Sequence, residues 1–226
     1  MTFEILLKRR DFIIIYKPCG MSVHKDGAEV GLTELIARQL GVAQVWLVHR
    51  LDKVTSGLLL LALNAESAAA LSRLFAEHRI EKTYFALSGQ KPKKKQGLII
   101  GDMRKVRNGA WKLCQSRENP AITRFQSVSC EANLRLFVLQ PKTGKTHQLR
   151  VAMKSLGSPI LGDVLYGKNA SAFDRTYLHA ARLQFEFNGE AFDVFAAPQE
   201  GAWWRKASVL AKMAEKPFLG NAQISV

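Results

Sequence analysis

Cysteine is scarce in this chain. Cys19, Cys114 and Cys130 are odd in number and far apart, a pattern that encodes neither a disulfide framework nor a zinc site. Acidic residues are also under-represented, 19 against 33 lysines and arginines, which leaves a formal net charge of +14. Apolar runs are short, far below the ~20 residues that cross a bilayer. The opening Met1-Thr2-Phe3-Glu4 has no charged segment or cleavage site of a secretory leader. A nucleotide-binding loop is missing too, because Gly144-Lys145-Thr146 lacks the Gly-x4-Gly-Lys-Ser/Thr spacing. Internal repeats, low-complexity tracts and a convincing linker are absent as well. These absences point to one compact domain over residues 1–226, of cytoplasmic type and monomeric by default.

What is present is a hydrophobic content of 47%, enough for a packed core. The positive charge favours a polyanionic partner, since cations that displace counterions from phosphates gain affinity. An anionic membrane surface is the rival, but no basic amphipathic helix stands out.

Phe12-Ile13-Ile14-Ile15-Tyr16 predicts a buried strand, stopped by Lys17-Pro18-Cys19-Gly20. A loop from Met21 to Gly31 carries His24, and Thr33 is expected to cap a helix that ends at Leu40-Gly41. Asn64 should cap a second helix, from Ala65 to about His78. Lys82–Leu87 reads as a strand, followed by the solvated run Lys91-Pro92-Lys93-Lys94-Lys95. Asn108-Gly109 and Asn188-Gly189 each signal a type I′ hairpin. The first hairpin carries Arg104, Lys105, Arg107 and Lys112 with Trp111 among them, a ribbon that suits a nucleic-acid groove or is simply exposed. Ala121–Val128 and Leu134–Gln140 alternate like paired strands, and a last helix is expected from about Ala202, with Trp203 and Trp204 in the core. Strands of this kind mixed with helices predict an α+β fold.

Two stretches carry chemistry. His49-Arg50-Leu51-Asp52-Lys53-Val54-Thr55-Ser56-Gly57 lies between apolar Val45–Val48 and the Leu58–Leu63 run. A carboxylate pinned at the edge of a core needs a partner to remain ionised. The alternative that Asp52 only caps the Thr55-Ser56-Gly57 turn stays open at this point. The second stretch is Lys142-Thr143-Gly144-Lys145-Thr146-His147-Gln148-Leu149-Arg150, a strand end, a glycine turn and a helix start running to about Leu156. Lys142, Lys145 and the helix N-terminus together suit a phosphate. Arg150 falls among Leu149, Val151 and Met153, so it needs an opposite charge just as Asp52 does. Each is the natural partner of the other.

Taken together, these motifs resemble the RluA-type pseudouridine synthase family, which acts on ribosomal and transfer RNA. The resemblance runs through Lys17-Pro18…Val23-His24, His49-Arg50-Leu51-Asp52…Thr55-Ser56-Gly57, Lys82-Thr83-Tyr84, residues 142–151, Pro159-Ile160…Gly162-Asp163…Tyr166-Gly167 and Leu178-His179-Ala180, in the family's order. It implies the family's catalytic core, a mixed, largely antiparallel sheet flanked by helices with a central RNA-binding cleft, and no separate N-terminal RNA-binding domain. It also implies a uridine isomerase that breaks the N1–C1′ bond, turns the uracil and joins C5 to C1′, with no cofactor or metal. Asp52 would be the essential aspartate, Tyr84 would stack on the flipped uracil, and Arg150 would pair with Asp52. Leu149 would pack on the other side of the base and Arg50 would enter the vacated stack. Lys142, Lys145, Thr146 and His147 would contact an RNA stem-loop. Lys53 and Lys145 stand where the family often has Arg, Ala152 where it often has His, and Tyr16 where Asn is common. These departures bear on RNA contact and target choice rather than on the chemistry. The rival class is a non-catalytic basic RNA-binding or ribosome-associated module, in which Asp52 is structural. A glycoside hydrolase would need a second carboxylate across the bond, and no motif supplies one.

Overall fold

The computed structural model describes residues 3–23 and 31–215. The strands are β1 (Glu4–Lys8), β2 (Phe12–Lys17), β3 (Trp46–Leu47), β4 (Ser56–Ala62), β5 (Glu81–Ser88), β6 (Gln96–Gly101), β7 (Met103–Lys105), β8 (Trp111–Leu113), β9 (Ala121–Glu131), β10 (Leu134–Pro141), β11 (Leu178–Phe187) and β12 (Glu190–Phe195). The helices are α1 (Leu32–Leu40), α2 (Ala65–Ala76), α3 (Gln148–Ser155) and α4 (Ala207–Ala214).

Ten strands form one sheet in the order β1-β2-β4-β11-β5-β10-β9-β6, with β12 added to β11 and β3 to β4; β7 and β8 pair separately. Every pairing in the large sheet is antiparallel except β4 with β11, whose register sets Ser56 opposite His179 and Gly57 opposite Ala180. The expected α+β core with a mixed, largely antiparallel sheet is the fold observed.

Residue order explains why the middle strands are buried on both faces. Successive strand residues point to opposite sides. Ile13, Ile15, Leu59 and Leu61 therefore join the core that contains α1 and α4 residues, whereas Phe12, Ile14, Leu58 and Leu60 join the core with α2 and β12. A continuous apolar run is the right sequence for such a strand.

The parallel junction is where the two halves of the sheet meet, and it depends on Gly57. Its φ is +109°, and a Cβ there would lie 2.2 Å from the Ala180 carbonyl oxygen. Only a residue without a side chain allows that approach. Beneath it, Ser56 Oγ lies 2.9 Å from His179 Nδ1, Arg175 Nη2 donates to Ser56 Oγ at 2.6 Å, and His179 Nε2 contacts the Ala196 carbonyl at 2.8 Å. Asp52, four residues upstream of Ser56, is thereby carried on a fixed strand end.

Several local expectations are adjusted. Helix α1 starts at Leu32 with Gly31 as its N-cap and no side-chain cap, so Thr33 lies inside the helix. Asn64 does cap α2, its Oδ1 accepting from Ser67 N at 2.8 Å, but the helix ends at Ala76. Ala202–Arg205 is a turn, and α4 begins only at Ala207; Trp204 is nevertheless buried, against Tyr177 and His179. His24 falls outside the described residues. Among those described, no helix is long and apolar enough to cross a membrane.

Candidate active site

Asp52, Tyr84 and Arg150 come from three separate elements and line one cavity of about 480 Å³. Asp52 sits in the loop before β4, whose turn is closed by backbone, Thr55 N donating to Asp52 O at 3.0 Å. The cap reading for its side chain does not hold. Instead, Asp52 Oδ2 faces Arg150 Nη1 at 3.5 Å, and its side chain keeps 20% exposure toward the cavity. Tyr84 is on β5, between Ala180 of β11 and Leu139 of β10. Burial raises its phenol pKa strongly, and the nearby Asp52 charge raises it further, so the hydroxyl stays protonated.

Arg150 lies in the first turn of α3 and is almost fully buried. Asp52 is one partner of Arg150, as its surroundings in the sequence predict, and Asp163 is a stronger one. Arg150 Nε and Nη2 donate to Asp163 Oδ2 and Oδ1 at 2.7 and 2.8 Å, a bidentate pair with a fully buried carboxylate. Its longer contact to Asp52 uses the remaining Nη1. Burial alone would lower the arginine pKa, but the hydrogen bonds and charge of Asp163, with Asp52, raise it. Asp163 thus locks the guanidinium in place and leaves one arm for Asp52. Asp163 Oδ1 also accepts from Leu165 N at 3.0 Å and Tyr166 N at 3.2 Å, so the loop after it is organised by the same side chain.

The remaining predicted residues divide. Arg50, Leu149, Lys145, Thr146 and His147 all line the cavity. Leu149 contributes buried apolar wall, whereas Arg50 is exposed. Lys142 does not line it; the ammonium is exposed and 3.8 Å from Glu81. The expected phosphate seat at the start of α3 is partly filled from within. Gln148 Oε1 accepts from Thr143 Oγ1 at 2.8 Å and Lys145 N at 2.9 Å, and its Nε2 donates to Ile122 O and Thr123 Oγ1, both at 3.0 Å. This carboxamide ties the 143–148 turn to β9. Lys145 Nζ bonds Asn119 Oδ1 at 2.6 Å.

His147 is the N-cap of α3 at φ 56°, ψ 16°, a left-handed conformation that costs a non-glycine residue about 1–2 kcal/mol. Its Nδ1 lies 2.9 Å from Tyr166 Oη, which also receives Trp111 N–H at 2.9 Å. Through these two bonds the β7–β8 hairpin is fastened to the cavity wall. In that hairpin Asn108 and Gly109 both have positive φ, as a type I′ signal requires. Val106 N bonds Ala110 O at 2.8 Å, so three residues rather than two form its tip. His49 also lines the cavity, with its Nε2 accepting from Leu60 N at 2.9 Å and its ring stacked on Phe75 at 4.4 Å.

Sequence reasoning missed the roles of Asp163, Gln148 and Tyr166. Asp163 carried a usable signal, an acid following the apolar Ile160-Leu161, the same signature that singled out Asp52. Gln148 and Tyr166 act through loop geometry that spacing does not encode.

The family described as RNA pseudouridylate synthase matches residues 11–155. A Haemophilus influenzae protein named an uncharacterized RNA pseudouridine synthase is 67% identical over 224 residues, 98% of this chain and 100% of that protein. The ribosomal large subunit pseudouridine synthase D of Zymomonas mobilis is 32% identical, over 82% of this chain and 65% of its own length. The tRNA pseudouridine synthase C of Haemophilus ducreyi is 34% identical, over 82% and 86%. Among solved structures, human RNA pseudouridylate synthase domain containing 1 superposes with a TM-score of 0.73 at 26% identity, covering 87% of this chain and 84% of that one. The chain belongs to the RNA pseudouridylate synthase family, in its RluA-type branch, and is an RNA-modifying isomerase.

Proposed function

We propose that this enzyme converts uridine to pseudouridine in a ribosomal or transfer RNA stem-loop, with Asp52 as the essential carboxylate. The observation that carries the assignment is Asp52 at the wall of a cavity, opposite Arg150 and beside Tyr84. The N1–C1′ bond breaks, the uracil turns, C5 joins C1′, the C5 hydrogen leaves as a proton and N1 gains one. Atoms and electrons balance without an oxidant, reductant or group donor. Asp52, held beside the fixed Arg150 guanidinium, is suited to act as nucleophile or base rather than as acid. Tyr84 and Leu149 supply opposed apolar surfaces for the extruded base, and Arg50 at the exposed rim fills the gap left in the stack. Lys145, Thr146 and His147 meet the target nucleotide, and Lys142 meets backbone phosphate outside the cavity. The protein works as a monomer in the cytoplasm, on the RNA that its +14 charge attracts.

Relatives named for ribosomal RNA and for transfer RNA both resemble the chain, and their shared motifs lie in the chemistry. Target choice is assigned to residues 91–112, the lysine run and the basic hairpin that Tyr166 fastens to the site. Exchanging that segment with a relative's should move the modified position while Asp52 stays essential. The direct test of activity uses ribosomal and transfer RNA labelled with tritium at uridine C5. Wild type should release tritium to water from at least one of the two pools, and Asp52→Asn should release none while binding RNA within a few-fold of wild type. Equal release by both proteins would refute the assignment.

A further inference from the structure

The hydrogen bonds around His147 bear on which of its nitrogens carries a proton. Trp111 N–H can only donate, so Tyr166 Oη accepts there. The hydroxyl's own proton then needs an acceptor, and among the described residues the only one bonded to Oη is His147 Nδ1, at 2.9 Å. Tyr166 is nearly fully buried and its ring lies under the Arg150 guanidinium at 5.1 Å, which leaves the histidine nitrogen as the acceptor at hand for its proton. With the hydroxyl donating to it, His147 Nδ1 is the unprotonated nitrogen and Nε2 carries the hydrogen. Nε2 has no hydrogen-bond partner among the described residues, and the ring lines the cavity beside Asp52. A backbone held in the left-handed region keeps the ring there.

We infer that His147 is a neutral, directional hydrogen-bond donor whose Nε2–H takes a ring carbonyl oxygen of the target uracil, with its tautomer set from the β7–β8 hairpin through Tyr166. This deepens the isomerase assignment above and rests on it. The cations that line the cavity, Arg50, Lys82, Lys145 and Arg150, suit phosphate and carboxylate, whereas a neutral N–H suits a carbonyl. The symmetry of uracil makes one fixed donor sufficient. A half-turn about the N3–C6 axis puts C5 in the place of N1, and it also puts one carbonyl in the place of the other. The same N–H can thus meet O2 before the turn and O4 after it, or the reverse. The ring's neutrality is consistent with its surroundings: burial lowers the His147 pKa, with Arg150 and Arg50 acting in the same sense against Asp52 and Asp163.

The test has two arms. Nitrogen-15 shifts of the His147 ring in the free protein read the tautomer without any turnover. The expected result is the Nε2–H form alone, with Tyr166→Phe releasing it to a mixture of both forms. A proton on Nδ1 in wild type, or a mixture unchanged by Tyr166→Phe, overturns the inference. The second arm compares His147→Asn with His147→Gln. The Asn amide overlays Nδ1 and can keep the Tyr166 bond, whereas the Gln amide overlays Nε2 and can keep the donor. His147→Gln should retain at least about tenfold more kcat than His147→Asn, the scale of one hydrogen bond. Replacing O2 or O4 of the target uridine by sulfur, a weaker acceptor, should slow wild type but not His147→Asn. The opposite order of the variants, equal losses, or sulfur effects unchanged by His147→Asn would show that the ring only holds the hairpin. If wild type itself turned over no RNA, the isomerase assignment would fail and the uracil contact with it, whereas the tautomer measurement would still decide whether Tyr166 sets the His147 ring as a neutral Nε2–H donor.

Discussion

Arg150 holds two carboxylates with one guanidinium, and they are not equivalent. The bidentate bonds to Asp163 at 2.7 and 2.8 Å anchor it, and the 3.5 Å contact serves Asp52 at the cavity. Removing the anchor leaves a buried cation without its main partner. Asp163→Ala should therefore destabilise the protein by about 3–5 kcal/mol in urea unfolding, and Asp163→Asn by less, because one acceptor oxygen survives. Loss of Asp52 should act on the opposite quantity. Asp52→Asn should leave the unfolding free energy within about 1 kcal/mol, since that side chain is partly exposed and its one ion pair is long. At this scale the Asp52–Arg150 pairing was legible in sequence because two charged groups each fell in apolar surroundings. Asp163 was not assigned a role, because one partner seemed enough for Arg150 when its three donor nitrogens were not yet placed in space.

Elements were legible wherever hydrophobic period and turn chemistry agreed. β2 and β4 are unbroken apolar runs, and Asn188-Gly189 closes the β11–β12 hairpin with both residues at positive φ, as its dipeptide predicts. Disagreement arose at helix starts. Thr33 looks like an N-cap, but the chain turns into α1 two residues earlier, at Gly31, where the backbone alone ends the helix. Trp203 and Trp204 read as helical, yet the Tyr177 hydroxyl accepts from Trp203 N at 2.9 Å and holds the segment as a turn before α4. The β4–β11 junction is a long-range event that no local signal encodes, apart from a glycine inside a strand pattern. Gly57→Ala should cost about 3 kcal/mol or more, because the added Cβ collides with the Ala180 backbone. Asn64→Ala, which removes only a cap, should cost about 1 kcal/mol. Thermal or urea unfolding of the two variants side by side checks the order.

At the scale of the whole molecule, pH and salt report on the interior and the surface separately. Burial pushes the His179 pKa down to about 3, against the favourable Ala196 carbonyl, with Arg175 lowering it further. The unfolded chain protonates this ring near 6.5 while the folded one does not, so the unfolded state binds more protons between those values. Stability is thus full above about pH 6.5 and falls as pH drops toward 3, by up to about 1.4 kcal/mol per pH unit from this residue alone. His179→Gln should flatten that slope in urea unfolding measured from pH 7 to pH 4; an unchanged slope would remove His179 from the account. Outside, the charge of +14 should make RNA affinity fall steeply with salt, a dependence that removing Arg104, Lys105 and Arg107 together should weaken. The proposed activity is pseudouridine formation in cellular RNA through Asp52. Mapping pseudouridine across total RNA, from cells lacking the gene and from the same cells carrying wild type or Asp52→Asn, tests it most directly. One or a few positions should vanish, and only the wild-type copy should restore them. Restoration by Asp52→Asn, or no change at any position together with no turnover by the purified protein, would contradict it.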